Sequence, residues 1–401
     1  MFMLSSLIYS PSLDGHRQVH AFVYAHLLNE LGYRVSIAFN FEENTNNDFY
    51  IELLKKDKSL TLIDTSIYMK NGYEITISQF IELQTRCLAD LTIFTEADNH
   101  ISLFTSQLFS RRKFRGKTIG HFFRPFYIYR KRNFWDKLRY LKHLPSQWKF
   151  DESLFHEYLL KTFRLLDTAL YTDENFVSSH SYSCLVPDTF QSYAETLIKD
   201  ENPEQRIWID RLKSFKEQNK DSLVFFYFGT AAKRRGYDVL LKMAIENNGC
   251  FIHCGLNHST ENYNELENIL LNKGKLFLTN QYISDPKCIE YFFKSVNYLV
   301  LPYHDFLGSS GVMLQALSYG IPVLVPDNGI MGYLVKKYNL GNTYDSGKAF
   351  SLKNEFDKFK DLDPFIFEEN IKNYMNFQSA DNLKKVLVNV FSEAMGSINI
   401  A

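Results

Sequence analysis

The sequence predicts an α/β protein built from two doubly wound, parallel-sheet domains, and three observations predict it. The chain has 401 residues, the length of about two to three average domains. Short apolar runs alternate with stretches of helical period, and strand-helix-strand units of this length join parallel strands. That rhythm breaks around Leu185-Val186-Pro187-Asp188 and restarts at Leu223, which predicts a second sheet.

Leu4 to Tyr9 reads as the first strand, and Ser12-Leu13-Asp14-Gly15 as a turn. Val19, Phe22, Val23, Leu27 and Leu31 then recur at helical spacing until Gly32 supplies the stop, and Val35 to Phe39 is the next strand. Apolar segments at Leu91 to Thr95, Thr118 to His121 and Ala169 to Thr172 continue the pattern. After the break, Tyr193 to Lys220 is polar and helix-favouring, interrupted at Pro203. Further buried strands are expected at Leu223 to Phe228, Phe251 to Cys254, Lys275 to Leu278, Tyr298 to Leu301 and Pro322 to Val325. Pro364 to Met395 reads as helical. The expected domains are residues 1–185 and 186–401, with the terminal helix packing back toward the N-terminal domain.

With 45% hydrophobic and 23% charged residues, the composition excludes a disordered chain. The net charge of −1 hides an asymmetry. Between Arg111 and Lys149, thirteen Lys or Arg face one acid, Asp136. Such a block points to an anionic partner or surface. Phe122, Phe123, Phe126, Tyr127, Phe134, Trp135, Tyr140 and Trp148 interleave it, but no nucleic-acid module accompanies them, and no nucleic-acid partner is expected. An anionic membrane face or a pyrophosphate-linked lipid would use the same chemistry. Five scattered cysteines fit a reducing cytoplasm. Cys250, His253 and Cys254 lie close together without a second ligand pair, and structural zinc takes four ligands, so no metal is expected. Met1 to Ser10 lacks a signal peptide's basic start, and no apolar run approaches the roughly 20 residues that span a bilayer. The expected location is cytoplasmic, with any membrane contact peripheral.

Two segments carry chemistry. From Pro302 to Pro326 a strand end and a loop lead into a helix from Gly311 to Tyr319, closed by Gly320. That helix begins with Ser309, Ser310 and Gly311, small residues whose neighbouring N–H groups can approach phosphate oxygens or be capped. Gln315 follows one turn deeper, where it can meet a sugar hydroxyl. The second segment, Gly229 to Gly236, follows the first strand of the second domain. It sets Lys233, Arg234 and Arg235 at a strand's carboxyl end, where α/β sheets bind ligands.

Together these segments resemble the donor-binding domain of the family 4 retaining glycosyltransferases. Gly229-Thr230-Ala231 and Arg235-Gly236 stand at the spacing of that family's Gly-Arg-Leu and Lys-Gly, and Gly311 to Val323 resembles its donor helix and Gly-x-Pro-Val run. The resemblance implies the GT-B fold, two Rossmann-like domains facing across a cleft. It also implies transfer of a sugar from a nucleotide-diphosphate donor to a glycan or lipid-linked acceptor, with retention and with no cofactor beyond the donor substrate. It places Gly15 at the donor phosphates, His121 near the donor sugar, and Tyr282-Ile283 at the base. The family's two glutamates flanking the donor helix fall on Leu307 and Gln315, with Asp305 just upstream as a substitute. This departure leaves a second expectation open, a non-catalytic glycosyltransferase-like subunit that binds a partner enzyme or glycan.

Overall fold

The computed structural model describes residues 4–13, 16–41, 49–68, 75–123, 160, 162–174, 177, 182–197, 203–247, 249–256, 263–283, 285–304, 306–345, 351–359 and 362–396. The first sheet contains β1 (Ser5–Tyr9), β2 (Arg34–Phe39), β3 (Leu60–Asp64), β4 (Leu91–Phe94), β5 (Lys117–Phe122), β6 (Thr168–Tyr171) and β7 (Ser183–Leu185). Its strands lie in the order β3-β2-β1-β4-β5-β6-β7, all parallel. The second contains β8 (Val224–Phe228), β9 (Cys250–Cys254), β10 (Leu276–Leu278), β11 (Tyr298–Val300), β12 (Val323–Pro326) and β13 (Gly341–Tyr344). Its order is β10-β9-β8-β11-β12-β13, again all parallel. In each sheet the strand order reverses at one point, between β1 and β4 and between β8 and β11. Outside the carboxyl ends of those strands lies the crevice that open α/β sheets use for ligands.

Strands of a parallel sheet covered on both faces read as continuous apolar runs. The central β1, β4, β9, β11 and β12 are buried at every position. At the edges, β3, β7 and β13 are only partly buried. Register decides what the interior holds. Phe225 on β8 pairs with Phe251 on β9 and with Tyr298 on β11, so the three rings share a face. Their centroids lie 5.5 and 5.6 Å from Phe225, and Phe356 packs on Phe225 at 4.1 Å and on Phe251 at 5.8 Å. Alternation along β9 also turns His253 to the face opposite Cys250 and Cys254. The Cys250 thiol instead donates to Asn219 Oδ1 at 3.1 Å.

The chain forms two compact units, Met1–Ala194 with Ser379–Ala401, and Glu195–Gln378. β7 closes the first sheet at Leu185, and the helix Phe190–Leu197 contains the change from one unit to the other. Within the first unit, the terminal helix Ala380–Gly396 is held by Lys384 Nζ on Glu30 Oε2 at 2.7 Å and by Phe391 against Tyr24 at 6.2 Å. Among the described residues, no helix is long and apolar enough to cross a membrane.

Two buried histidines tie stability to pH. Desolvation, with Arg17 adding to it, lowers His100 to about 3. Burial lowers His253 to about 4, against a smaller opposing effect from the Gly229 carbonyl. The unfolded chain therefore binds protons near pH 6.5 that the folded chain refuses. Stability is full above that pH and is lost as pH falls toward 4 and 3, by at most about 1.4 kcal/mol per pH unit for each histidine. Between pH 6.5 and 5, His100→Phe should flatten the decline in urea midpoint relative to the wild type. An unchanged slope would show that His100 is not buried in its neutral form.

Candidate functional site

β8 ends at Phe228, and the chain turns at Gly229 with φ +114°, a conformation that side-chain-bearing residues rarely adopt. The Gly229 N–H donates to the Cys254 carbonyl at 2.8 Å. A Cβ at Gly229 would stand 2.7 Å from Arg235 Nη1, so the guanidinium rests directly on this glycine. Lys233–Arg235 is a single 3-10 turn closed by Gly236, whose N–H donates to the Lys233 carbonyl at 2.8 Å. Lys233 and Arg234 are exposed, whereas Arg235 is half-buried.

Two contacts join this loop to the one after β11. Gly236, at φ +69°, presses against the Pro302 carbonyl so closely that a Cβ would lie 1.8 Å from its oxygen. The His304 N–H donates to the Arg234 carbonyl at 3.2 Å. The second loop leads into the helix Gly311–Ser318, which Ser310 caps by accepting from the Met313 N–H at 3.4 Å. Ser309 is half-buried and Gly311 exposed, and a Cβ at Gly311 would meet nothing within 4 Å, so the helix mouth is open. The structure thus brings the cationic turn and the loop leading to the open helix mouth together at the carboxyl ends of adjacent strands. Unpaired N–H groups and the helix dipole favour an anion at such a mouth.

The other sequence candidates lie in varied settings. Gln315 is only 3% exposed, and its Nε2 donates to Glu195 Oε1 at 2.7 Å. At Leu307 the carbonyl accepts from the Ile330 N–H at 3.1 Å. The Tyr282 ring is 55% exposed, as a stacking surface requires, while the Ile283 side chain is buried. Gln205 fixes this segment, donating to the Tyr282 carbonyl at 3.2 Å and accepting from the Asp285 N–H at 2.9 Å.

In the first unit, His121 lies near the end of β5, fully buried among His20, Tyr24, Phe123 and Phe190, with the Phe123 ring 3.9 Å away. Its Nδ1 lies 2.8 Å from the Tyr24 hydroxyl, whose pKa burial raises well above its ordinary value. Gly15 and Asp305 lie outside the described residues, as does 124–149 of the basic block. In its described part, Arg111, Arg112, Lys113 and Arg115 are exposed, and Lys117 pairs with Asp167 at 3.3 Å.

Glu195, Gln205 and the Arg17–Glu96 pair are absent from the sequence reading. Glu195 and Gln205 sit in polar stretches without a motif, and only tertiary contact selects them. Arg17, in the first turn of the helix His16–Glu30, meets Glu96, just past β4, at 2.5 Å, and Asn99 donates to the same carboxylate oxygen. That pair spans the first sheet's own reversal point.

Two parallel sheets, one of seven and one of six strands, flanked by helices, give the chain the fold class of GT-B glycosyltransferases. It is similar to sucrose-phosphate synthase from Thermosynechococcus elongatus, with 12% identity over 98% of this chain and 100% of that one and a TM-score of 0.60. A glycosyltransferase from Rickettsia africae is 12% identical over 98% of each chain, with a TM-score of 0.62. HepE of Anabaena, in complex with UDP and glucose, is 11% identical over 97% of this chain and 100% of its own, with a TM-score of 0.61. No protein-family model and no curated protein matches the sequence. At these identities the likeness establishes the fold.

The contact between the two loops is testable. Gly236→Ala places a methyl group where the Pro302 carbonyl stands, at a positive φ, and should destabilise the protein by more than about 1 kcal/mol. A thermal midpoint equal to the wild type's would contradict the close approach.

Proposed function

We propose that the protein is a glycosyltransferase that binds the diphosphate of a nucleotide-sugar and transfers the sugar to a glycan or lipid-linked acceptor. One observation carries the reading: Gly236 against Pro302 joins the Arg235 turn to the loop that opens at Ser309-Ser310-Gly311. Arg235 and Lys233 supply cations, and the helix mouth supplies N–H groups and a favourable dipole. All of these stabilise the negative charge that grows on the diphosphate as the sugar–oxygen bond breaks. Tyr282 offers its exposed ring to the base, in a segment that Gln205 holds rigid. Several solved structures of similar fold contain UDP or a UDP-sugar, which supports a nucleotide-sugar as donor. Kinship with family 4, retention of configuration, and donor-side roles for Gly15, His121, Asp305 and Ile283 belong to this proposal.

Leu307 and Gln315 favour the alternative, a subunit that keeps the fold without turnover. Leu307 has no side-chain acceptor, and the Gln315 amide is engaged by Glu195. Binding and turnover across UDP, ADP and GDP sugars separate the readings. Arg235→Ala should weaken nucleotide binding at least about tenfold and abolish transfer. Binding of none of these nucleotides by the wild type ends the enzymatic proposal, and binding without transfer selects the subunit.

The basic block 111–149 extends the proposal to an anionic membrane surface. Vesicles containing anionic lipid should carry the protein on flotation at low salt and release it at high salt. Absence of binding at every ionic strength removes the membrane from the reading.

A further inference from the structure

Beneath the Arg235 turn lies a histidine that the donor chemistry does not touch. His253 on β9 is 2% exposed, and its Nε2 lies 3.0 Å from the Gly229 carbonyl. A carbonyl can only accept, so Nε2 carries the proton and Nδ1 is left as a lone pair. That Nδ1 is buried and has no hydrogen-bond partner among the described residues. Around the ring stand Tyr227, at 5.3 Å, and Tyr237, at 4.7 Å, whose hydroxyl donates to Glu267 at 2.8 Å. Burying an imidazole with one nitrogen unsatisfied costs free energy that an aliphatic residue on this strand would not incur. The compensation visible in the structure is the bond to Gly229.

That bond completes a clamp on one residue, holding the peptide groups on both sides of Gly229. The Gly229 N–H is held by the Cys254 carbonyl at 2.8 Å. On the Gly229 carbonyl, Gly255 closes in so tightly that a Cβ there would lie 2.2 Å from the oxygen. Residues 253–255 of one strand end therefore fix the donor, the acceptor and the steric limit of Gly229. The Arg235 guanidinium rests on that same glycine, 2.7 Å from where its Cβ would be.

We infer that His253 is a positioning residue for the diphosphate site. Its Nε2–H pins the Gly229 carbonyl and so sets the platform on which the Arg235 guanidinium is aimed. This rests on the reading of Arg235 as a diphosphate ligand. His253 itself never meets the substrate.

The test compares His253→Gln, which keeps a donor near the Nε2 position, with His253→Asn, whose amide ends short of Gly229, and with His253→Leu. Binding of UDP, ADP, GDP and inorganic pyrophosphate is measured by calorimetry on the full chain, beside Arg235→Ala. His253→Leu and His253→Asn should weaken diphosphate binding about tenfold, and His253→Gln should restore it to within about threefold of the wild type. A general loss of stability would not separate Gln from Asn. If His253→Leu fails to fold, the Asn and Gln pair carries the comparison. Equal affinities in those two variants, with Arg235→Ala still weakened, overturn the inference. Pyrophosphate and nucleotide binding that ignores Arg235→Ala instead overturns the diphosphate reading on which the inference rests.

Discussion

The candidate site depends on one close approach, that of Gly236 to the Pro302 carbonyl. Far apart along the chain, the turn after β8 and the loop after β11 meet because their strands are neighbours at the point where the sheet order reverses. A residue with a side chain cannot stand between them. The bond from the His304 N–H to the Arg234 carbonyl fixes the same junction. Without this contact, three cations and a helix mouth would be two solvated loops. With it, they form one corner of the sheet.

Within that corner the cations are not equivalent. Lys233 and Arg234 project into water, where screening limits what a charge contributes. Arg235 lies half-buried with its guanidinium packed on Gly229, which restricts the directions it can take. The Gly229 backbone beneath it is held by His253, Cys254 and Gly255. Preorganisation of this kind is what the proposed diphosphate site needs and a solvated basic turn lacks.

The helix that completes the corner, with the loop before it, carries no glutamate at 307 or 315, the two positions where the sequence resemblance implies one. Where a carboxylate was expected at 315, the amide of Gln315 donates to Glu195, so a carboxylate lies nearby on a different element. At 307 an aliphatic side chain stands on a loop whose carbonyl is bound to Ile330. The helix keeps its Ser310 cap and its open Gly311 mouth. The anion contacts proposed for it would come from backbone groups, which Leu307 and Gln315 leave in place.

The sequence by itself determined the class of fold, because strands buried on both faces must be continuously apolar. β1, β4, β8, β9, β11 and β12 are legible for that reason. Three of the four edge strands escaped it: β3, β7 and β13 are partly solvated, and their mixed residues carry no such signature. The two chemical segments were equally legible as small residues and cations at strand ends. Only the tertiary structure decided which side chains serve them. It turned Arg235 inward and left Lys233 outside, and it recruited Glu195 and Gln205 from stretches with no motif. It also separated His253 from the cysteines that flank it and put it to work on Gly229. The physical reason is that periodicity records burial, a property of each residue alone. Partnership depends on register and crossover, which are fixed only when the sheet assembles.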